Sequence, residues 1–593
     1  MTLFQALSRI AVIYPLLSIP YHQFLIIIYK SRSDDEPLHM LYGRLAAHFC
    51  RGPFMRLVWC SFLIVLSCFN VFATDGGESG DVAERPALII LVAVDQLRRD
   101  RLQEPFNAGL KRLLDKGRVF KEATLDHAIT TTCPGHSVML TGTNPGKAGI
   151  PGNYYIDAES FEERYCVEDQ DPANQVFGRN KNHSPNNLLV TTLGDWLKEE
   201  DSKSRVFSVG GKDRSAIMMG GHKADGVFWF DWTLSKFTSS RYYLNELPDY
   251  VNSFNGSDPF VDGFLRNLPE TWTHAPGRAR ADDFPGEDEE WNNTSGHPLR
   301  AGDKPGGQVY DSPYLDTASI DLAIEIVRQE KLGQRDSTDL LAISLSATDT
   351  VGHLYGPYSA ESEYTLANVD KKLGEFLDFL DARIGEDNYI VILTADHGVA
   401  ELPEWASAND RLQCPEPSGR ISVYGFALRL YWHAYSRFSK PFGNPLNLVK
   451  YADSQLKINK RYAAELGFDP TQVIDGMKEV LEDEVAIERA WTRQELESDP
   501  SEIARLYRNS LVDDKSGDLF IQLHRTCLIR DEGTTHGMPH DYDRNIPLIF
   551  FGKGITPVTV GGKAHSVDIA TTLAKFLELA TPSNLDGQVL KLN

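Results

Sequence analysis

From Pro86 onward, near-continuous apolar runs alternate with amphipathic segments. Ala87–Val94 (ALIILVAV), Leu340–Ser346 (LLAISLS), Tyr389–Thr394 (YIVILT) and Ile546–Phe551 (IPLIFF) have almost no polar face. That pattern predicts strands buried on both sides within a parallel sheet. Phe106–Lys116, Tyr314–Glu330, Ser362–Ile384 and Val567–Leu579 carry apolar residues at helical spacing. Strands alternating with helices imply an α/β domain over 86–593, with a mostly parallel central sheet and helices on both faces. Two stretches break the alternation. About 228–307 is rich in Trp, Tyr, Pro, Asp and Asn with little periodicity. About 403–523 holds a strand-like run, Ile421–Trp432, and charged helices. Both read as insertions able to cap the open sheet edge; the plainer alternative is surface decoration with no part in substrate choice.

The front of the chain differs. Ile10–Tyr29 is apolar but broken by Pro15, Pro20, His22 and Gln23, a poor membrane span. Met55 and Arg56 precede the apolar run Leu57–Phe72, and Val71-Phe72-Ala73 has the small residues of a cleavage site. Residues 55–73 therefore read as an export signal, and 1–54 as an upstream extension. An uncleaved membrane anchor, or the lipoprotein-like Val65-Leu66-Ser67-Cys68, is the alternative. The product is expected to be exported, periplasmic or extracellular.

At 593 residues, 42% hydrophobic and 24% charged, the chain has material for a large core. Its net charge of −23 argues against broad binding to nucleic acid or anionic membrane. An anionic substrate would need local cations or metal ions. Past the front segment the cysteines are Cys133, Cys166, Cys414 and Cys527, far apart and without a CxxC pair. They exclude a zinc knuckle and a dense disulfide scaffold, and leave room for one or two disulfides.

The chemistry sits where the apolar runs end. Ala87–Val94 is followed by Asp95. Leu340–Ser346 leads to Asp349 and His353, and Tyr389–Thr394 to Asp396 and His397. Ligands bind beyond the carboxyl ends of the strands in open α/β sheets. Carboxylates crowded there repel unless cations neutralise them, and imidazole with carboxylate suits zinc. A lone acid after a strand is ordinarily a cap; three acidic strand ends in one chain are not explained that way. With His536 before the last strand there are six ligands, three for each of two Zn²⁺ ions with an open position.

With these residues in hand, the chain resembles the alkaline phosphatase superfamily. It is most similar to the exported threonine-nucleophile phosphomonoesterases of the phosphate-irrepressible (PafA) type, neighbours of the nucleotide pyrophosphatase/phosphodiesterases. The spans VAVDQLRRDRL, TTCPGHSVMLTGTNPGKAGIPGNYY, GKDRSAI, LSATDTVGHLYGP, LTADHG and GTTHGMPHDYDRNIPLIFFGKG carry the resemblance, in that order. It implies that Thr132 is the nucleophile and forms a phosphothreonine. It also implies that Asp349, His353 and His536 hold one zinc and Asp95, Asp396 and His397 the other. Thr132 would lean on a metal. Asn153, Lys212 and Arg214 would bind the phosphate, the two cations favouring monoesters. Cys133 and Met538-Pro539-His540 are less usual choices for the family. The small-molecule phosphate ester is not legible, nor is the oligomeric state. Rival readings are a phosphodiesterase of the same superfamily and a non-catalytic metal-binding exported protein. A sulfatase would need an Arg after Cys-x-Pro, which Cys133-Pro134 lacks.

Overall fold

The computed structural model describes residues 85–438 and 444–593. The expected extension 1–54 and export signal 55–73 lie outside the described residues. Nine strands form the central sheet: β1 (Leu88–Val94), β2 (Arg118–Thr124), β3 (Val206–Gly210), β4 (Gly226–Asp231), β5 (Lys236–Thr238), β6 (Asp339–Leu345), β7 (Tyr389–Thr394), β8 (Leu548–Gly552) and β9 (Val558–His565). Their spatial order is β9-β2-β8-β7-β1-β6-β3-β4-β5. The neighbours β7, β1, β6, β3 and β4 all run parallel. β1 is the middle strand of the nine. Leu88 pairs with Asp339 on one side and Tyr389 on the other, and every β1 side chain is buried.

Ile546–Phe551 is expected to join a parallel sheet. Its strand, β8, runs antiparallel to β7 and to β2. The reason is topological. The chain leaves β7 at the carboxyl edge and returns to the same edge after the second insertion, so β8 starts where β7 stops. The outer strands β2 and β9 are partly exposed, and their mixed polarity gives no apolar run to find. The first insertion begins later than residue 228. Phe228–Asp231 completes β4, and β5 pairs antiparallel with it as the edge strand. The aromatic, aperiodic character of FWFDWT hides that edge.

The helices used below are α1 (Gly109–Lys116), α2 (Thr132–Thr141), α3 (Asp213–Gly220), α4 (Tyr314–Glu330), α5 (Ala347–Tyr355), α6 (Ala360–Arg383), α7 (Val423–Phe438) and α8 (Asp568–Phe576). The apparent strand Ile421–Trp432 is largely α7. Phe426, Leu430, Ala434 and Phe438 are buried at four-residue spacing, while Tyr424, Leu428 and Trp432 face outward. Apolar residues on both faces erased the helical period. The second insertion also holds a four-stranded sheet, in the order Val449–Ala452, Gln455–Ile458, Leu519–Leu523, Ile487–Thr492. Disulfide Cys414–Cys527 ties its two ends together. Trp491, Tyr507 and Phe520 of this insertion pack on Ala128 and Ile129, just ahead of α2.

α1 starts at Gly109 rather than at Phe106 because Asp370 of α6 caps it. The carboxylate accepts from the backbone N–H groups of Asn107 (2.8 Å), Ala108 (3.0 Å), Leu110 (2.7 Å) and Lys111 (3.4 Å). A helix start leaves such donors without partners. Asp370→Ala should lower the unfolding free energy by about 1–3 kcal/mol in urea melts, since it strands one buried and three partly buried donors. A loss below about 0.5 kcal/mol would contradict the capping account.

Candidate active site

Four adjacent parallel strands deliver the polar residues to one edge. Asp95 directly follows β1. Asp396 and His397 follow β7. α5, after β6, carries Asp349 and His353 one turn apart. Lys212 caps α3 after β3, with Arg214 in its first turn. Lys212 donates from Nζ to Asp95 Oδ2 at 2.6 Å and to Asp349 Oδ2. His536, from the loop before β8, joins Asp349 and His353. Asp95, Asp349, Asp396 and Lys212 are all buried.

The ligand atoms form two clusters. His353 Nε2 lies 3.3 Å and His536 Nε2 3.5 Å from Asp349 Oδ1. His397 Nε2 lies 3.2 Å from Asp396 Oδ2 and 3.5 Å from Asp95 Oδ1. A tetrahedral ion with ligands at about 2.0–2.2 Å spaces them about 3.3–3.6 Å apart. The imidazoles are also set in the right tautomer. His353 Nδ1 donates to Thr534 O (2.8 Å), His536 Nδ1 to Thr130 O (2.7 Å) and His397 Nδ1 to Gly398 O (2.9 Å). Each Nε2 lone pair is thereby turned to the carboxylates, the usual support of a metal-bound histidine. Among the described residues, Asp95 Oδ1 and His397 Nε2 are buried without a hydrogen-bond partner. Donor set, spacing and orphaned atoms all fit divalent cations.

Electrostatics agree. Burial and the adjacent Asp396 carboxylate push Asp95 well above the ordinary carboxylate range. Burial lowers His397 to about 3, so it is neutral at pH 7 and free to coordinate. Burial also works against the Lys212 ammonium, but Asp349 and Asp95 outweigh it and hold its pKa above the usual lysine value. Lys212 thus supplies one positive charge to three carboxylates.

α2 approaches this edge by its N-terminus. Thr132 is its first residue and Pro134 falls in its first turn, where a missing N–H costs nothing. Asn153 Oδ1 accepts from Cys133 N at 2.8 Å, and disulfide Cys133–Cys166 pins the same turn. Arg214 does not reach the acid cluster; its Nη1 meets Tyr165 OH at 3.2 Å, beside Cys166. Of the neighbouring hydroxyls, Thr130 donates to Met538 O and Asp543, whereas Thr131 Oγ1 is buried without a partner. A cavity of about 270 Å³ opens beside the cluster. Thr131, Asn153, His353, His536, Tyr451 and Asp453 are part of its wall, while Thr132, Lys212 and Arg214 are not. Asp453 and Ser454 form a two-residue hairpin turn with φ of 44° and 60°. Asp453 accepts from the Asn153 and Tyr154 amides. The second insertion therefore reaches the site.

Two residues here escaped the sequence reading. His136, one turn after Thr132, puts Nδ1 3.0 Å from Thr132 O and 3.1 Å from Asp396 Oδ2. Its i+4 spacing from Thr132 was the available signal. Gln96 donates from Nε2 to Asp349 Oδ1 (2.7 Å) and from its backbone to Asp396 Oδ1 (3.1 Å). It adopts φ of 66°, rare outside glycine, and nothing in the sequence marks that.

Residues 89–534 match the family described as Type I phosphodiesterase / nucleotide pyrophosphatase. The chain belongs to this family. It is also similar to alkaline phosphatase PhoV of Synechococcus elongatus, 32% identical over 85% of this chain and 92% of that protein. Alkaline phosphatase PhoK of Sphingomonas sp is 31% identical over 86% of this chain and 92% of its own length. The crystal structure of wild-type alkaline phosphatase PafA superposes with a TM-score of 0.78 at 29% identity, covering 86% of this chain and 99% of that one. A PafA variant changed at one threonine, one asparagine, one lysine and one arginine matches equally, at 28% identity.

α2 meets the Asp396 loop backbone to backbone at Gly135. A Cβ there would lie 2.3 Å from Asp396 O. Gly135→Ala should cost about 1–3 kcal/mol of stability and weaken metal retention, read by urea melts and metal analysis. Unchanged stability and metal content would show that this close approach is not needed.

Proposed function

We propose that the protein hydrolyses phosphate monoesters through a covalent phosphothreonine on Thr132, at a centre of two zinc ions. The protein is a metal-dependent phosphomonoesterase. The observation that carries the finer reading is the convergence of two ligand triads on the start of α2. Asp349, His353 and His536 would hold one ion, and Asp95, Asp396 and His397 the other. Zinc there supplies Lewis acidity toward a hydroxyl and an ester oxygen.

The chain's own residues do the rest. Thr132 Oγ1 bonds to phosphorus as the ester P–O bond breaks and the alcohol leaves; water then cleaves the Thr132–phosphate bond. The α2 N-terminal amides face the phosphate, held by Asn153 and by Cys133–Cys166. Asn153 binds Cys133 N through Oδ1, which leaves its amide donors for a phosphate oxygen. Lys212 pairs with Asp95 and Asp349; with those carboxylates holding metal ions, its ammonium would be available to a phosphate oxygen. Arg214 adds a bidentate donor. Thr132, Asn153, Lys212 and Arg214 are the same four residue types, in the same chain order, as those changed in the PafA variant. The cavity walled by Tyr451 and Asp453 has room for the alcohol portion. Two disulfides, Cys133–Cys166 and Cys414–Cys527, suit an exported protein.

The family description favours a second reading, a diesterase. A terminal phosphate offers one more negative charge and one more free oxygen than a diester does, so Lys212 and Arg214 favour it. On an aryl phosphate, Lys212→Ala with Arg214→Ala should lower kcat/KM by about 10²–10³, two charged contacts at about 1.5–3 kcal/mol each with partial overlap. The loss on the matching diester should be far smaller; equal losses would refute the assignment. Thr132→Ala should abolish phosphate trapping in quenched digests, and Thr131→Val should preserve it. Phosphate recovered on Thr131 would move the nucleophile. Chelation should remove activity and zinc restore it.

A further inference from the structure

Away from the active site, the first insertion and the start of α6 bring together His274, His297, Glu361 and Asp282. His274 Nε2 and His297 Nε2 face each other at 3.3 Å. Glu361 Oε1 lies 3.2 Å from the first and 3.4 Å from the second. Asp282 Oδ1 stands 3.4 Å from His274 Nε2. The three separations among His274, His297 and Glu361 match the edges between ligands of a tetrahedral ion at about 2.0–2.1 Å, which are about 3.3–3.4 Å; Asp282 lies alongside, against His274.

The histidine tautomers sharpen the point. His274 Nδ1 lies 3.0 Å from Ala275 O, and His297 Nδ1 lies 3.2 Å from Asn292 O. A carbonyl can only accept, so both Nδ1 atoms carry the proton. With both rings neutral, two Nε2 lone pairs point at each other and at a carboxylate, an arrangement that a cation between them, metal or proton, relieves. Glu361 is fully buried, and neither of its oxygens has a hydrogen-bond partner among the described residues. Trp272 stacks on His297 at 4.3 Å and closes one side. A carboxylate buried without a partner is strongly disfavoured, and coordination would relieve it.

We propose that His274, His297 and Glu361 bind a structural zinc ion, with Asp282 beside His274. It would be separate from the two catalytic ions and does not depend on the proposed phosphatase chemistry. Two imidazoles with a buried carboxylate match zinc's ligand preference. The ion would fasten the aperiodic first insertion to α6. The adjoining contacts run toward the active site: Tyr355, the last residue of α5, approaches His297 Nδ1 with its hydroxyl at 3.2 Å, and its carbonyl accepts from Arg280. The ion would thus brace the far end of the helix that carries Asp349 and His353.

Metal analysis of the purified full chain, dialysed against zinc-free buffer, tests this. We expect three zinc ions per wild-type chain and two per His297→Gln or Glu361→Gln chain. The variants should melt at lower temperature while keeping the two active-site ions. Two ions in the wild type, or equal counts in wild type and variant, would overturn the proposal. The wild-type count decides the matter even if neither variant folds. A chain without phosphatase activity that still loses one ion on His297→Gln would sink the functional reading and leave this site standing.

Discussion

Three carboxylates buried at one sheet edge are the constraint on which the rest of the active site turns. Asp95, Asp349 and Asp396 sit at the ends of adjacent parallel strands, where neither water nor a second sheet disperses their charge. Lys212 answers part of that charge, and three imidazoles aimed by backbone carbonyls prepare the places for cations. Every further feature serves to hold these groups where mutual repulsion would push them apart. Gln96 clasps Asp349 and Asp396 at the cost of a left-handed backbone, and His136 ties Asp396 to the start of α2. Strain of this kind, of order 1–3 kcal/mol, persists only where the surroundings over-determine it.

Much of this arrangement is legible in the amino-acid sequence, for a physical reason. A strand buried on both faces tolerates almost no polar residue, so the first acid after one marks the strand's end and the sheet's edge. That logic finds Asp95, Asp349 and Asp396 and fails elsewhere. β2 and β9 lie at the border and carry exposed positions, so they leave no apolar run. α7 has apolar residues on both sides, so its four-residue burial spacing is masked. Gln96 is set by φ, which composition does not encode. The sequence motifs also place Lys212 and Arg214 together as a pair, but the fold sends one into the acid cluster and the other to Tyr165. Neighbours in sequence at a helix start point different ways.

The insertions are where the sequence is least informative and the structure adds most. The second one packs on Ala128 and Ile129, carries the Asp453-Ser454 turn to the Asn153 backbone and walls the cavity beside the buried carboxylates. Its contribution rests on a hairpin tip with two positive φ values, a turn that twists with its strands and so presents Asp453 rigidly. The sheet edge supplies charge chemistry, and the insertion shapes the space in which the ester's alcohol would be placed.

The first insertion works from the opposite side. Its ligand-like residues come from an aperiodic stretch and from the second residue of α6, a separation that no local pattern reports. Yet their contacts end on α5, whose N-terminal side is held independently: Asp316 of α4 accepts from Ala347 N at 2.9 Å. α5 is thus fixed at both ends by groups that never touch the substrate. A ligand pair one helical turn apart needs that, because a tilt of α5 would move Asp349 and His353 by different amounts and open the spacing that a tetrahedral ion requires. The precision of one triad is in this way set by parts of the chain remote from it.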